Sequence, residues 1–154
     1  MKDKVILTYG TFDMFHVGHL ALLKRLKALG NRLIVAVSTD EFNAIKGKQT
    51  IIPYAQRAAI VEAIKYVDKV IPETHWEQKE SDIETYNVDI FAMGDDWEGK
   101  FDFLKPKCEV IYLKRTAGIS SSALKETLNK ISKIDVEDLH KSFEILKQLK
   151  CDFE

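Results

Sequence analysis

The chain has 154 residues, 45% of them hydrophobic, which is enough for one compact domain with a packed core and too few for two of ordinary size. Lys and Arg number 23 against 24 Asp and Glu, so the net charge of -1 excludes bulk attraction to nucleic acid or an anionic membrane, and any anionic ligand must be held locally. The cysteines, Cys108 and Cys151, stand outside any C-x-x-C pair, which argues against a zinc ribbon or disulfide scaffold and fits a reducing compartment.

"KVILTY" (4–9) opens the predicted elements as a strand, too short an apolar run for a signal peptide; no segment reaches the ~18 apolar residues of a membrane helix, so a cytoplasmic protein is expected. "VGHLALLKRLKALG" (17–30) reads as a helix with Leu22, Leu23, Leu26 and Leu29 on one stripe and Gly30 as its stop. "RLIVAVS" (32–38) is apolar throughout, as a strand buried on both faces must be. A short capped helix follows in "TDEFNAIKG", then a polar loop, then a helix opened by Pro53 with Ala59, Ile60, Ala63, Ile64 and Val67 as its expected apolar face. "KVI" (69–71), a mostly polar helix "QKESDIETYN", "VDIFAMG" (88–94) and "CEVIYL" (108–113) continue the alternation. "SSSALKETLNKI" is a serine-capped helix, and from about residue 132 an amphipathic helix carries Leu139, Phe143, Leu146 and Leu149. Alternating strands and helices predict an α/β fold: a Rossmann-like, doubly wound parallel sheet with helices on both faces, plus a C-terminal helical extension.

His16 and His19 lie just past the first strand, at the start of the first helix. A zinc site would need further ligands, and His75, His140 and the cysteines sit in other segments without forming a matching pair. Packing or capping of the first helical turn is a second reading. The third follows from position: in open α/β sheets ligands bind beyond the carboxyl ends of the strands, where helix N-termini favour anions. Gly10, Thr11 and Gly18 would let the backbone approach a phosphate, to which imidazole N–H groups can donate. "KRTAGISSSALK" (114–125) repeats this chemistry, with Arg115, Thr116, Gly118 and Ser120, Ser121 and Ser122 either holding phosphate or merely capping a helix. Lys46 and Lys48 flank Gly47 in what reads as a mobile loop, where solubilising charge is the plain alternative to a ligand role. Asp95 and Asp96 follow a buried strand, as a metal or nucleoside site or as an acidic first helical turn.

Two of these segments carry a family pattern. "GTFDMFHVGH" has the form G-x-F-D-x-x-H-x-G-H and "RTAGISSS" the form R-x-x-x-I-S-[ST]-[ST], so the chain resembles the cytidylyltransferases of the H-x-G-H nucleotidyltransferase superfamily. With "VAVSTDEFN", "YVDKVIPE", "WEQKESDI" and "MGDDWEGKFDFL", residues 3–130 are similar to the bacterial glycerol-3-phosphate cytidylyltransferases. The resemblance implies a catalytic domain over 1–131, with residues 132–154 as the extension. It implies a homodimer that uses Mg2+ to convert CTP and sn-glycerol 3-phosphate into CDP-glycerol and pyrophosphate, for teichoic-acid or capsule-type polymers. No nucleic-acid or membrane partner is expected.

The same resemblance assigns nucleotide contacts to Thr11, Phe12, His16, Gly18, His19, Lys48, Asp96, Arg115, Thr116, Gly118, Ile119, Ser120, Ser121 and Ser122. Substrate contacts fall to Lys46, Lys79, Asp40, Arg57 and Trp76, and catalytic roles to His16, His19, Lys46, Asp13 and Arg115; Asp68 is a further sensitive position. No protein metal ligand is assigned, the Mg2+ being expected on the CTP phosphates near Asp13 or Asp96. Val17 replaces a tryptophan frequent in relatives and is expected to face the core or a neighbouring element, and Lys65 stands where relatives can carry arginine. The alternatives are another H-x-G-H transferase with a different phosphate-ester acceptor, or a non-catalytic nucleotide-binding protein. The apolar stripe of the extension packs on its own domain, docks a partner or extends the dimer interface.

Overall fold

A computed structural model describes residues 3–133 and 135–151. The chain forms two compact units, Met1–Ile119 and Ser120–Glu154. In the first, β1 (Val5–Gly10), α1 (Val17–Lys27), β2 (Arg32–Ser38), α2 (Asp40–Ile45), α3 (Tyr54–Glu62), β3 (Lys69–Glu73), α4 (Gln78–Thr85), β4 (Ile90–Gly94) and β5 (Glu109–Leu113) follow one another, with short 3-10 turns at Asp95–Trp97 and Asp102–Leu104. The sheet order is β3-β2-β1-β4-β5, and every pairing is parallel. The Rossmann-like doubly wound fold read from the sequence is therefore the fold observed.

The strands are apolar on both sides because both sheet faces are covered. On one face Leu23 and Leu26 of α1 and Val61 of α3 pack against Ile6, Leu33, Val35, Val37, Ile90 and Ala92. On the other, Ile83 of α4, with Phe101 and Leu104, packs against Leu7, Tyr9, Ile34, Ala36, Phe91 and Met93. The α3 face differs from expectation: Ala59, Ile60 and Ala63 are exposed, whereas Arg57 and Val61 are buried and Ile64 and Val67 partly so.

The strand order reverses between β1 and β4, opening a crevice beyond their carboxyl ends, which is where ligands bind in this architecture. Asp68 lies at the opposite edge. Its carboxylate pairs with Lys27 and accepts the Leu33 N–H at 2.6 Å, fastening the start of β2. The second unit contains α5 (Ser121–Ser132), whose N-cap Ser120 accepts the Ala123 N–H at 3.1 Å, and α6 (Val136–Cys151), which carries the expected Leu139, Phe143, Leu146 and Leu149 stripe. Among the described residues no helix is long and apolar enough to cross a membrane.

Candidate active site

The turn leaving β1 is strained: Phe12 and Met14 adopt left-handed conformations with φ of 52° and 48°, which non-glycine residues reach at a cost on the order of 1–2 kcal/mol each. The Phe12 ring is thereby buried beside His19, with centroids 5.4 Å apart. Asp13, only 2% exposed, accepts the Met14 and Ile52 N–H groups on Oδ1 at 3.1 and 2.9 Å, and the Ile51 N–H on Oδ2 at 2.8 Å. Its carboxylate thus ties the turn to the segment before α3, and both oxygens are engaged by backbone donors.

His16 is the N-cap of α1: its Nδ1 accepts the Gly18 N–H at 3.0 Å, while His19 Nδ1 accepts the His16 N–H at 3.2 Å. This is a capping box built from imidazoles, and it fixes their tautomer. A nitrogen that accepts carries no proton, so each neutral ring holds its proton on Nε2 as a donor. The rings stack with centroids 3.9 Å apart. Burial lowers the His16 pKa, with help from the Arg115 charge. Burial likewise lowers that of His19 to about 4, His16 adding to the effect and Asp13 opposing it. At neutral pH both are uncharged donors. Gly18 is required by close approach: a Cβ there would lie 2.8 Å from His16 Cε1 and 3.1 Å from Ile119 Cγ2.

Arg57, 1% exposed, spends its guanidinium on the protein: Nε donates to the Ile52 carbonyl at 2.8 Å, one terminal nitrogen to the Thr11 carbonyl at 2.6 Å, and the other to Asp40 at 2.7 Å. Asp40 also accepts from Tyr54 N and Thr50 Oγ1, and the Tyr54 N–H is the main reason its pKa falls below the usual carboxylate range. The Asp40–Arg57 pair braces the Thr11 turn from behind. Thr11 Oγ1 donates to Oδ1 of buried Asn43 at 3.3 Å.

Lys46 does not ride on a mobile loop. It caps α2, and its largely buried side chain donates to Ser38 Oγ at 3.1 Å and lies 4.4 Å from the Phe42 ring centroid. Lys79, 2% exposed, has its ammonium among the Tyr9, Trp76 and Phe101 rings. Glu73, the last residue of β3, stands 3.8 Å from both ammonium nitrogens. The Trp76 ring borders both lysines and meets Phe42 edge-on at 5.3 Å. The structure therefore brings Lys46, Lys79 and Trp76 together. Asn43, Ser38 and Glu73 went unnoticed in the sequence, where a glutamate closing the short run "KVIPE" was the available signal.

Asp96, in the first of the 3-10 turns, pairs with Arg115 across 3.7 Å at the carboxyl ends of β4 and β5. Gly118 takes a φ of 96° between Thr116 and the Ser120 cap, while Ser121 and Ser122 form the first turn of α5. Lys48 is exposed just beyond α2, and Lys65 is exposed with its ammonium over Tyr66. Val17 faces solvent at 65% exposure rather than the core, because it sits on the first turn of α1 opposite the buried Leu23 and Leu26.

A cytidylyltransferase-like family model matches residues 7–127. Glycerol-3-phosphate cytidylyltransferase of Bacillus subtilis (strain 168) is 58% identical over 125 residues, covering 81% of this chain and 97% of that protein. The protein of the same name from Staphylococcus aureus (strain NCTC 8325 / PS 47) is also 58% identical, with 81% and 95% covered. Among solved structures, the lipopolysaccharide core biosynthesis protein from Thermoplasma volcanium GSS1 matches with a TM-score of 0.63 at 24% identity, over 75% of this chain and 99% of that one, a likeness of fold alone.

Proposed function

The chain belongs to the cytidylyltransferase-like family, and we propose that it transfers the cytidylyl group of CTP to sn-glycerol 3-phosphate, giving CDP-glycerol and pyrophosphate. The observation that carries this reading is the stacked histidine pair at the crevice, each ring held as an Nε2–H donor by a backbone N–H on its Nδ1.

In the reaction an oxygen of the acceptor phosphate bonds to the CTP α-phosphorus, and the bond to the oxygen bridging the β-phosphorus breaks, releasing pyrophosphate. The second pKa of a phosphate monoester is about 6, so the nucleophile is mostly dianionic at neutral pH and needs no general base. What it needs is positioning and charge stabilisation. His16 and His19 donate to phosphate oxygens at the reacting phosphorus. Arg115 holds the β- and γ-phosphates, and Lys48 and Thr11 contribute to the nucleotide. Lys46 and Lys79 receive the acceptor phosphate beside Trp76. Asp13, Asp40 and Arg57 act behind them by fixing the turn.

Mg2+ suits this donor set as an ion carried by the triphosphate, since it binds through one or two carboxylates plus phosphate oxygens rather than an all-protein cage. Among the described residues no three His, Cys, Asp or Glu side chains are grouped to hold a metal ion; Asp13 is buried and already accepts three backbone N–H groups, whereas Asp96 is exposed beside Arg115 and is the carboxylate this reading places near the ion. When bound, the ion would neutralise triphosphate charge. The reading extends to a cytoplasmic homodimer whose product feeds polyol-phosphate polymers of the teichoic-acid or capsule type.

Pyrophosphate release across CTP and ATP, each paired with sn-glycerol 3-phosphate and other phosphate esters including phosphoamines, tests the assignment. CTP with sn-glycerol 3-phosphate should exceed every other pair in kcat/KM, by roughly 100-fold where a recognised polar group is missing. Another pair turning over faster would replace the acceptor, and nucleotide binding without turnover on any acceptor would remove the enzyme reading.

A further inference from the structure

We infer that Glu73 is a positioning residue for the acceptor phosphate, a buried carboxylate that sets the spacing of Lys46 and Lys79 and keeps their charge. The inference rests on the reading above in one respect, that these two lysines receive that phosphate.

The geometry begins with the sheet. Glu73 ends β3 opposite Ser38, which ends β2, and the Glu73 carbonyl accepts the Thr39 N–H at 3.0 Å, so the backbone fixes where this side chain starts. The residue is 3% exposed, and its Oε1 lies 3.8 Å from Nζ of Lys46 and 3.8 Å from Nζ of Lys79. The two nitrogens are therefore within twice that distance of each other, although they come from different helices. Ser38 Oγ donates to Oε2 at 3.5 Å and itself accepts from Lys46 Nζ. The remaining walls are aromatic: Phe42 and Trp76 around Lys46; Tyr9, Trp76 and Phe101 around Lys79.

Two ammonium groups in such surroundings would shed protons or move apart without a counter-charge. Among the described residues Glu73 is the carboxylate within 4 Å of both ammonium groups, and it stands between two cations. Neither lysine is close enough to Glu73 for a short ion-paired hydrogen bond, and the Lys79 ammonium makes only a long 3.5 Å approach to the Trp76 carbonyl beside its ring contacts. The cluster is thus preorganised for a small dianion. A carboxylate would repel a phosphate rather than ligate it, so Glu73 acts through the lysines.

Titration behaviour agrees. Burial lowers the pKa of Lys46, and Glu73 is the group that raises it against the charges of Lys48, Lys79 and Arg57. Burial also lowers that of Lys79, with Glu73, Asp82 and Glu77 opposing the fall. Tyr9, whose ring faces Lys79, stays neutral through burial and its hydrogen bond to Asp82. Burial raises the Glu73 pKa, and the two lysines hold it down. A lysine with a lowered pKa binds an anion at low pH and loses that capacity as pH rises through the lowered value, so removing the Glu73 charge shifts the loss to lower pH.

The test is a titration of the full chain with sn-glycerol 3-phosphate, and separately with inorganic phosphate, followed by tryptophan fluorescence, since Trp76 touches both lysines. It is run at pH 7 and pH 9 on the natural protein, Glu73→Gln and Glu73→Asp, alongside CTP binding and turnover. Glu73→Gln should bind sn-glycerol 3-phosphate about 10- to 100-fold more weakly, with the deficit widening toward pH 9 and CTP affinity unchanged. Glu73→Asp, which keeps the charge, should retain the natural pH dependence even if its affinity is lower, and it decides the matter should Glu73→Gln fail to fold. Natural affinity and pH dependence in Glu73→Gln would overturn the inference while leaving the activity standing; so would equal, pH-independent loss of acceptor and CTP binding, or a changed pH dependence in Glu73→Asp. If the natural protein bound either phosphate with this pattern yet produced no pyrophosphate from CTP, the proposed activity would fall and the positioning role would stand. Binding of neither phosphate by the natural protein would overturn the positioning role.

Discussion

Asp13→Asn should destabilise the protein before it affects any metal. The carboxylate accepts from three backbone N–H groups at 2.8 to 3.1 Å, and it holds together a turn with left-handed residues on both sides. The amide retains one acceptor oxygen and turns an NH2 toward a backbone donor. One charge-assisted hydrogen bond is lost outright, with a buried N–H left unsatisfied, and the others weaken to neutral strength. With hydrogen bonds to charged groups contributing roughly 1.5–3 kcal/mol and neutral ones about 1, the loss should be about 3 kcal/mol. For a chain of this size that corresponds to a fall in Tm of roughly 6–12 °C, readable by circular dichroism on heating. Turnover should fall as well, because the segment at residues 51 and 52 loses its anchor, while the Mg2+ concentration giving half-maximal rate stays put. An unchanged Tm together with a raised Mg2+ requirement would refute the reasoning and return Asp13 to the metal.

Three further outcomes follow from the histidine pair. His16→Asn retains a side chain able to cap α1 but removes the imidazole donor, so Tm should hold within a few degrees while kcat falls on the order of 100- to 1,000-fold in steady-state pyrophosphate release; natural turnover would dismiss the donor role. Gly18→Ala places a methyl group 2.8 Å from the His16 ring, and the displaced ring should reduce kcat about 100-fold, a loss checked in the same assay and contradicted by natural kcat. Because the folded state lowers the His19 pKa from 6.5 to about 4, the unfolded chain takes up a proton that the folded one refuses. Stability should be complete above about pH 6.5 and decline as pH falls toward 4, by about 2 kcal/mol after allowance for partial exposure. Urea midpoints for the natural protein and His19→Gln between pH 8 and 4 measure this, and the variant should lack that part of the decline.

The strands were legible because a strand buried on both faces must be apolar along its length, and "VILTY", "LIVAV" and "IFAM" meet that demand. The α3 face was read out of phase because its inner stripe runs through Tyr54, Arg57, Val61 and Ile64, and counting hydrophobic residues discards an arginine. Arg57 can be buried there only because the Ile52 and Thr11 carbonyls and the Asp40 carboxylate receive its donors, and these acceptors come from three other places in the chain. The segments around Lys79, a polar-looking helix, and Lys46, a polar loop, likewise give no sign of burial, and only the family resemblance assigns the two lysines to substrate. Spacing within a segment cannot disclose a partner that arrives from another strand, as Glu73 of β3 does for both lysines at 3.8 Å.

That failure of sequence reading itself carries information. Burying a polar or charged group is unfavourable unless it is hydrogen-bonded or paired, so the fold should not concentrate such groups in one region without a use for them. Among the described residues the buried polar ones are Thr8, Asp13, Ser38, Asn43, Arg57, Glu73, Gln78 and Lys79. Apart from Thr8 inside β1, they lie at or just beyond the carboxyl ends of β1, β2 and β3 or on the helices that follow. The amino edge holds its acids differently, with Asp68 partly exposed and tied to a strand start. The burial pattern therefore marks the edge carrying the His16–His19 pair without using either motif. It also separates surroundings within that edge: Asp13 and Arg57 are tied to backbone groups by short hydrogen bonds and hold the shape, while Lys46 and Lys79 stand 3.8 Å from Glu73 among aromatic rings, the arrangement on which the proposed acceptor site rests.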